Sequence, residues 1–232
     1  LNIFRSSTIK KNKIKKIIQI SSSEVYGNDL LKNSNVLTEN TITVSESPYA
    51  ASKIAADNLA ISMFKATDLP VVVARPFNTF GPRQSSRAII PTIITQLNDK
   101  NKIHLGELSP SRDFNYVTDI VKAYYLAINN KNIVGEVVNL GSNFEITIKN
   151  LKNLILKIYD KKIKIEISPQ RLRPKKSEVF RLLCDNRKAR KLLKWKPKYS
   201  GKKGLEQGLR KTIEWFSDKN NLKKYKSNIY NT

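Results

Sequence analysis

The chain has 232 residues, and its 40% hydrophobic and 27% charged residues are typical of a globular protein with one or two domains. Its 43 Lys and Arg against 19 Asp and Glu give a formal net charge of +24, which would suit nucleic acid, an anionic membrane surface or an acidic substrate. The basic residues are scattered from Lys10 to Lys226 without one dominant block. We therefore interpret the charge as solvated lysine faces, with a nucleic-acid-binding module as the alternative.

Rare residue types exclude further classes of protein. Cys184 is the only cysteine, which excludes an intramolecular disulfide framework and fits a reducing cytoplasm, and its apolar neighbours indicate a core position. His104 is the only histidine, and it alternates with apolar residues as in a short strand, so we expect it to be structural. One Cys and one His cannot form a Cys/His zinc site, and we expect no metal. No apolar run approaches the length of a membrane span, so no membrane partner is expected.

The first predicted elements suit a parallel α/β sheet. Residues 1–13 are predicted to end a crossover helix, and residues 16–20 to form a buried strand that runs into polar residues. Residues 28–44 lack a periodic pattern and are predicted to form a loop over the site. A helix is predicted over residues 48–65, with Ser47 as its N-cap and a proline in its first position. Its candidate buried positions are Ile54, Leu59, Ile61 and Met63.

The later elements alternate between strands and helices. Residues 71–74 form a continuous β-branched run, which is typical of a parallel strand covered on both faces, and residues 112–117 are predicted to form a short strand. From about Gln170 the chain becomes basic and loop-like. The predicted helices are residues 89–98, one capped by Thr118 with Asp119 in its first turn, one capped by Thr147, residues 187–193 and residues 205–216.

Tyr49 and Lys53 are the first candidates for chemistry. They are four residues apart, so they share one face of the predicted helix. A Lys ammonium near a phenol favours the phenolate and lowers its pKa, which would make Tyr49 a base near neutral pH. The spacing alone also occurs on solvated helix faces. The polar residues 21–24 add weight, because open α/β sheets place their chemistry at the carboxyl ends of parallel strands.

Four motifs occur in order along the chain: S-S-S-E-V-Y-G, S-P-Y-A-A-S-K, R-P-F-N-T-F-G-P-R and R-D-F-N-Y-V. Together they resemble the extended short-chain dehydrogenase/reductases, the family of NAD-dependent nucleotide-sugar epimerases and dehydratases. The later R-L-R-P-K-K-S-E-V, W-K-P-K-Y and Y-K-S-N-I-Y are most similar to 4,6-dehydratases that act on nucleotide-linked N-acetylglucosamine in legionaminic-acid-type pathways. The resemblance runs from about Lys16 to the last residues.

The resemblance implies the carboxyl-terminal part of a Rossmann-like parallel sheet, with a smaller α/β substrate-binding lobe. Residues 1–85 would be the remainder of the NAD-binding domain, and residues 86–232 mostly the substrate-binding lobe, with segments that return to the sheet. The sequence has no G-x-G-x-x-G at a strand-to-helix turn, and we interpret Gly201, Gly204 and Gly208 as packing and turn glycines. We therefore expect the family's phosphate-binding unit to precede Leu1, and this piece alone to be inactive and to bind NAD weakly at most.

The resemblance also implies catalytic roles. Tyr49 would take the proton from the sugar 4-hydroxyl while NAD takes the hydride from carbon 4, and Lys53 would hold the nicotinamide ribose and depress the Tyr49 pKa. Ser22 would hydrogen-bond the same hydroxyl. Glu24 would remove the proton from carbon 5 as the 6-hydroxyl leaves. Many glucose-type dehydratases carry Asp where this chain has Ser23, so the group that protonates the leaving hydroxyl stays open, with Glu24 acting through Ser23 or water as one solution.

Binding residues follow from the same resemblance. Phe77 would contact the cofactor, Asn78 the sugar nucleotide, and Arg112 and Arg173 its diphosphate, for which Arg is the best donor. The weaker substrate-binding candidates are Arg83 and Arg87.

The expected function is an NAD-dependent 4,6-dehydratase of UDP- or GDP-N-acetylglucosamine, in a cytoplasmic homodimer that pairs through the helices at residues 1–13 and 48–65. The small and apolar residues proposed for that contact are Ala55, Ala56, Ile61 and Met63. The alternatives are a nucleotide-sugar 4-epimerase, a UDP-glucuronate decarboxylase, a basic nucleic-acid-binding module and an inactive fragment.

Overall fold

The predicted α/β class is confirmed by the computed structural model, which describes residues 2–9, 13–28, 36–99, 102–172, 174 and 177–223. The helices of these residues are α1 Asn2–Thr8, α2 Pro48–Thr67, α3 Ile89–Asp99, α4 Val117–Asn129, α5 Ile148–Tyr159, α6 Arg187–Leu193, α7 Gly201–Ser217 and α8 Lys219–Leu222. The strands are β1 Ile17–Ile20, β2 Val71–Pro76, β3 Thr79–Phe80, β4 Lys102–Leu105, β5 Ser111–Asp113, β6 Asn115–Tyr116, β7 Val137–Leu140, β8 Glu145–Thr147, β9 Lys164–Ile167 and β10 Arg181–Leu182.

A parallel sheet of order β1–β2–β7 carries the amino-terminal half of the fold. The β-branched run of β2 lies in its middle, and Val71, Val72 and Val73 are fully buried, as expected for a strand covered on both faces. The free edge of β1 pairs with no strand in the described part of the chain, and Ile20 at its end is 47% exposed. All three strands run the same way, so the polar residues that follow Ile20, Pro76 and Leu140 meet at one edge.

Helices cover both faces of this sheet. On one face, α1 and α2 pack Phe4 and Ala60 against the valines of β2. On the other face, Ile120 and Ala123 of α4 and Trp195, two residues after α6, pack onto β2 and β7. Trp195 is held there because its indole Nε1 donates to the Asp119 carbonyl oxygen at 3.0 Å.

A second apolar core lies among α3, α5 and α7. Three small sheets adjoin it: β10–β5–β8, the parallel pair β3–β6 and the parallel pair β4–β9. Thr147 caps α5 as predicted, since its Oγ1 accepts from the Asn150 amide at 3.2 Å. Gly208 lets α7 approach closely, because a Cβ there would lie 2.9 Å from the Phe80 ring. The division of the chain at residue 85 stays a prediction.

Several predicted elements differ from the structure. Helix α1 ends at Thr8 rather than near residue 13; residues 1 and 10–12 of that prediction lie outside the described residues. The prediction of one strand over residues 112–117 is wrong, because this segment forms two strands, β5 and β6. Strand β5 pairs with β10 and β8, whereas β6 pairs with β3. The predicted Thr118 cap is also wrong: α4 begins at Val117 directly after β6, with Tyr116 as N-cap and no side-chain cap bond.

Other predictions are confirmed. Helix α2 begins with Ser47 as N-cap, whose Oγ accepts from the Ala50 amide at 3.1 Å, and with Pro48 in first position. Cys184 is fully buried in an apolar cluster. His104 lies in strand β4, and its Nδ1 is 3.4 Å from the Glu166 carboxylate on β9. Within residues 28–44, the described part is irregular, with Leu37 bridging to Cys184.

Candidate active site

The residues after β1 form the first wall of the site. A short 3-10 helix, Ser23–Tyr26, begins there because the Ser22 Oγ accepts from the Glu24 amide at 3.2 Å. A hydroxyl that accepts a hydrogen bond keeps its own O–H to donate, so Ser22 retains a donor. Ser23 is buried, with 3% of its surface exposed. Gly27 ends this helix with φ +54°, and a Cβ there would lie 2.8 Å from the Val44 carbonyl oxygen.

Helix α2 supplies the second wall. Tyr49 lies in its first turn with 53% of its surface exposed. The Lys53 Nζ, one turn later, donates to the Ile20 carbonyl oxygen at 2.9 Å and lies 5.7 Å from the centroid of the Tyr49 ring. The ammonium is therefore fixed between the end of β1 and the Tyr49 ring.

A buried network fixes α2 to the strand ends. Asp57 lies one turn beyond Lys53, and its Oδ2 accepts from Arg75 Nε at 3.0 Å and from Ser21 Oγ at 2.8 Å. Arg75 Nη1 donates to the Tyr26 hydroxyl at 3.0 Å, which donates to Asn139 Oδ1 at 2.7 Å. Burial raises the pKa of Tyr26 to about 12, so its hydroxyl stays protonated. These bonds join α2 to the residues at the ends of all three sheet strands.

Two cavities meet at Glu24. One, of about 380 Å³, is lined by Glu24, Ser47, Tyr49 and Ser177. The other, of about 260 Å³, extends from Glu24 past Asn78 to Arg112. The structure thus brings Tyr49 and Glu24 to one cavity and connects them with the predicted substrate residues.

The second cavity carries charges of both signs, since Glu107 and Glu178 line it beside its arginines and Arg112 Nη2 lies 3.4 Å from Glu178 Oε1. Arg112 is 7% exposed on β5, and its Nη1 is fixed by the Ser111 carbonyl oxygen at 2.9 Å. Arg87 and Arg171 line the same cavity, as does the first turn of α3. Guanidinium groups beside a helix amino terminus favour a diphosphate. Sequence reasoning missed Arg171, two residues before the predicted Arg173, which lies outside the described residues.

The other predicted binding residues have different surroundings. The Phe77 side chain is fully buried against Tyr26, with ring centroids 6.4 Å apart. Of Phe77, only the backbone could make the predicted contact with the cofactor. Arg83 is exposed in the turn after β3, with φ +66°. Asn78 lines the second cavity, and its Oδ1 is buried without a hydrogen-bonding partner among the described residues.

Asp113 follows Arg112 on β5, and sequence reasoning missed it. Its Oδ1 accepts from the Ser142 amide at 2.9 Å, the Ser142 hydroxyl at 2.6 Å and Asn115 Nδ2 at 3.0 Å. Its Oδ2 accepts from the amides of Asn143 at 2.9 Å and Cys184 at 3.3 Å. Burial raises the pKa of Asp113 to about 6, against these hydrogen bonds. The carboxylate ties β5 to the turn after β7.

The described residues hold neither a metal-binding cluster nor a membrane-spanning helix. No group of three His, Cys, Asp or Glu is placed to hold a metal ion. No described helix has the length and apolar character needed to cross a membrane.

Comparisons with known proteins agree with this geometry. A profile of the family described as GDP-mannose 4,6 dehydratase matches residues 1–208. A human protein named dTDP-D-glucose 4,6-dehydratase is 32% identical over 217 residues, which cover 91% of this chain and 59% of that protein.

Solved structures are similar as well. A dTDP-glucose 4,6-dehydratase from Bacillus anthracis, in complex with NAD, has a TM-score of 0.81 and 32% identity, covering 93% of this chain and 65% of that one. A UDP-glucuronic acid 4-epimerase from Bacillus cereus, in complex with UDP-glucuronic acid and NAD, has a TM-score of 0.82 and 27% identity at the same coverage. The predicted Rossmann-like fold is thereby confirmed. The chain spans less than two thirds of the length of these relatives.

Proposed function

The chain belongs to the GDP-mannose 4,6-dehydratase family, and on that premise we propose that it carries the catalytic groups of an NAD-dependent nucleotide-sugar 4,6-dehydratase. The proposed substrate is N-acetylglucosamine linked to UDP or GDP, and the proposed protein is a homodimer. The observation that carries the proposal is the position of Glu24, which lines one cavity with Tyr49.

The donor set beside β1 fits a nicotinamide cofactor. The Lys53 ammonium and the exposed Tyr49 ring lie at the carboxyl end of β1, next to its free edge in the described chain. That is where open α/β sheets bind dinucleotides. NAD bound there would accept a hydride from sugar carbon 4 and return it later to carbon 6.

Tyr49 is proposed as the base for the oxidation at carbon 4. The 4-hydroxyl must lose its proton as the hydride departs, so base and donor must converge on that oxygen. The Lys53 ammonium lies 5.7 Å from the centroid of the Tyr49 ring, on the side of the ring that faces the end of β1. Ser22 donates its remaining O–H to the same sugar oxygen, which steadies the developing ketone.

Glu24 is proposed as the base for the elimination. The ketone at carbon 4 acidifies the proton on carbon 5, and the Glu24 carboxylate accepts it. The electron pair of that C–H bond forms the carbon 5–carbon 6 double bond, and the carbon 6–oxygen bond breaks with the departure of water. Glu24, now protonated, gives that proton to the leaving hydroxyl, and the same carboxylate later passes a proton from water to carbon 5 as the hydride returns to carbon 6. Ser23 is too buried to contact the substrate directly, so its proposed role is to act on the substrate only through Glu24.

A 4-epimerase is the second candidate, favoured by the similarity to the Bacillus cereus enzyme. Epimerisation needs oxidation, rotation and reduction at carbon 4, and leaves carbon 6 unchanged. The test is to incubate the full-length protein with NAD and UDP- or GDP-N-acetylglucosamine and to analyse the product by mass spectrometry and NMR. A product 18 mass units lighter, with a 6-methyl signal, is expected. A product of unchanged mass with an inverted 4-hydroxyl would instead assign the epimerase.

A further inference from the structure

Ser177 lines the first cavity together with the two proposed bases. The described residues that line this cavity are Glu24, Ser47, Tyr49 and Ser177, and of these Ser177 alone comes from the carboxyl-terminal half of the chain. Glu24 and Tyr49 each have a proposed step of the reaction. Ser47 caps α2, since its Oγ accepts from the Ala50 amide. Among these four residues, Ser177 is therefore the one without a role so far.

The segment around Ser177 is held next to the 3-10 helix that carries Glu24. Asn28 follows the glycine that ends this helix, and its Nδ2 donates to the Glu178 carbonyl oxygen at 2.8 Å. Its Oδ1 accepts from the Phe180 amide at 2.9 Å. The Glu178 side chain reaches the other cavity, where its Oε1 lies 3.4 Å from Arg112 Nη2. The position of Ser177 in the first cavity is therefore fixed by contacts of its neighbours with residues distant in sequence.

The hydroxyl of Ser177 has its hydrogen engaged. Its Oγ donates to the Pro174 carbonyl oxygen at 3.0 Å, and its amide donates to the same oxygen at 2.9 Å. Because a carbonyl oxygen can only accept, the hydroxyl hydrogen faces Pro174 and the lone pairs of Oγ remain for a partner that donates. Ser177 is only half-buried, so a ligand in the cavity can reach it.

A dehydration needs such an acceptor at the leaving oxygen. The 6-hydroxyl of a sugar has one hydrogen to donate, and its oxygen must take up a proton as the carbon 6–oxygen bond breaks. While it takes up that proton, the oxygen loses electron density and its original O–H becomes a stronger donor. A hydrogen bond from this O–H to a fixed acceptor therefore strengthens in the transition state, and interactions of that kind accelerate the chemical step.

We propose that Ser177 is a further catalytic residue, which accepts a hydrogen bond from the sugar 6-hydroxyl and holds the leaving oxygen where Glu24 protonates it. This inference rests on the proposed function, because it takes the first cavity to hold the reacting part of the sugar. The proton from carbon 5 passes through Glu24 to the 6-oxygen, and the electron pair of the carbon 6–oxygen bond leaves with the water. Ser177 keeps its own hydrogen throughout.

The test is single-turnover kinetics on the full-length protein with NAD and whichever of UDP- and GDP-N-acetylglucosamine the wild type converts. NADH absorbance rises as carbon 4 is oxidised and falls as the hydride returns to carbon 6. In Ser177→Ala the rise is expected to stay within about 2-fold of wild type, and the fall to be about 5- to 50-fold slower. Ser45→Ala, an exposed serine that does not line the cavity, is the matched control and should change neither phase.

The 6-deoxy-6-fluoro analogue of the same nucleotide sugar separates a chemical role from a structural one. Its fluorine has no hydrogen to donate to Ser177, so fluoride release should proceed in Ser177→Ala within about 2-fold of the wild-type rate. An unslowed fall of NADH with the hydroxyl sugar, or an equal slowing with both sugars, would overturn this inference and leave the dehydratase standing. Failure of the wild type to convert either nucleotide sugar would overturn the proposed function, and this inference with it.

Discussion

Breaking the buried ion pair between Asp57 and Arg75 is expected to cost far more than removing both partners. The two side chains are 3% and 8% exposed, so water cannot solvate a charge left alone. Arg75→Met leaves the Asp57 carboxylate with the Ser21 hydroxyl, and Asp57→Leu leaves the guanidinium with the Tyr26 hydroxyl. Each single change is expected to lower the free energy of unfolding by about 3–5 kcal/mol.

The double variant Asp57→Leu/Arg75→Met leaves no uncompensated charge, so its free energy of unfolding is expected to lie within about 2 kcal/mol of the wild-type value. The coupling energy is therefore about 4 kcal/mol or more, because the two single losses sum to about 6–10 kcal/mol. Urea unfolding followed by circular dichroism measures this. Each single variant should shift the midpoint by roughly 1–2 M at an unchanged slope of about 3 kcal/mol/M. Single losses below about 1 kcal/mol, or a double variant as unstable as the sum, would refute the reasoning.

Three further predictions concern Asp113, Arg112 and the dimer. Burial raises the pKa of Asp113 to about 6 in the folded protein, above the ordinary value of 3.8, so folding favours its protonated form. Its contribution to the free energy of unfolding is therefore full below pH 3.8 and is lost as the pH rises through 6. Asp113→Asn should remove about 3 kcal/mol of the stability change between pH 4 and pH 7, measured by urea unfolding; an unchanged pH slope would contradict this. Arg112→Met should weaken nucleoside diphosphate binding about 10- to 100-fold by calorimetry, with the exposed Arg190→Met unchanged as control. Ala55→Arg, on the exposed face of α2, should convert a dimer to monomers in light scattering without unfolding it, and a monomeric wild type at micromolar concentration would count against the dimer.

Local signals explain which elements the sequence predicted. Helix α2 was predictable because Ser47 and Pro48 determine its start through adjacent residues. Strand β2 was predictable because its valines suit a strand buried on both faces. The break between β5 and β6 was not, since it depends on strands β10 and β3, which are distant in sequence. Two-residue strands such as β10 carry too short a pattern to recognise.

The site divides in the same way. Glu24, Tyr49 and Arg112 lie in motifs, and the structure places all three on the walls of two connected cavities. Asp113 was missed because its donors come from three separate segments. Ser177 was missed because its position in the first cavity depends on the hydrogen bonds that its neighbours make with Asn28, which is distant in sequence. No residue-type pattern along the chain carries that information.

Deuterium at carbon 5 tests the central claim most directly, because only a dehydratase breaks and remakes that C–H bond. The full-length protein is incubated with NAD and the nucleotide-linked N-acetylglucosamine in heavy water, and the product is examined by NMR. The wild type should give a 4-keto-6-deoxy sugar with deuterium at carbon 5. Glu24→Gln should slow its formation by a factor on the order of 10² to 10⁴, while the nearby Glu46→Gln should not. Tyr49→Phe should stop the reaction before any ketone forms. A product without deuterium at carbon 5, or an unchanged rate in Glu24→Gln, would contradict the role of Glu24 as the base.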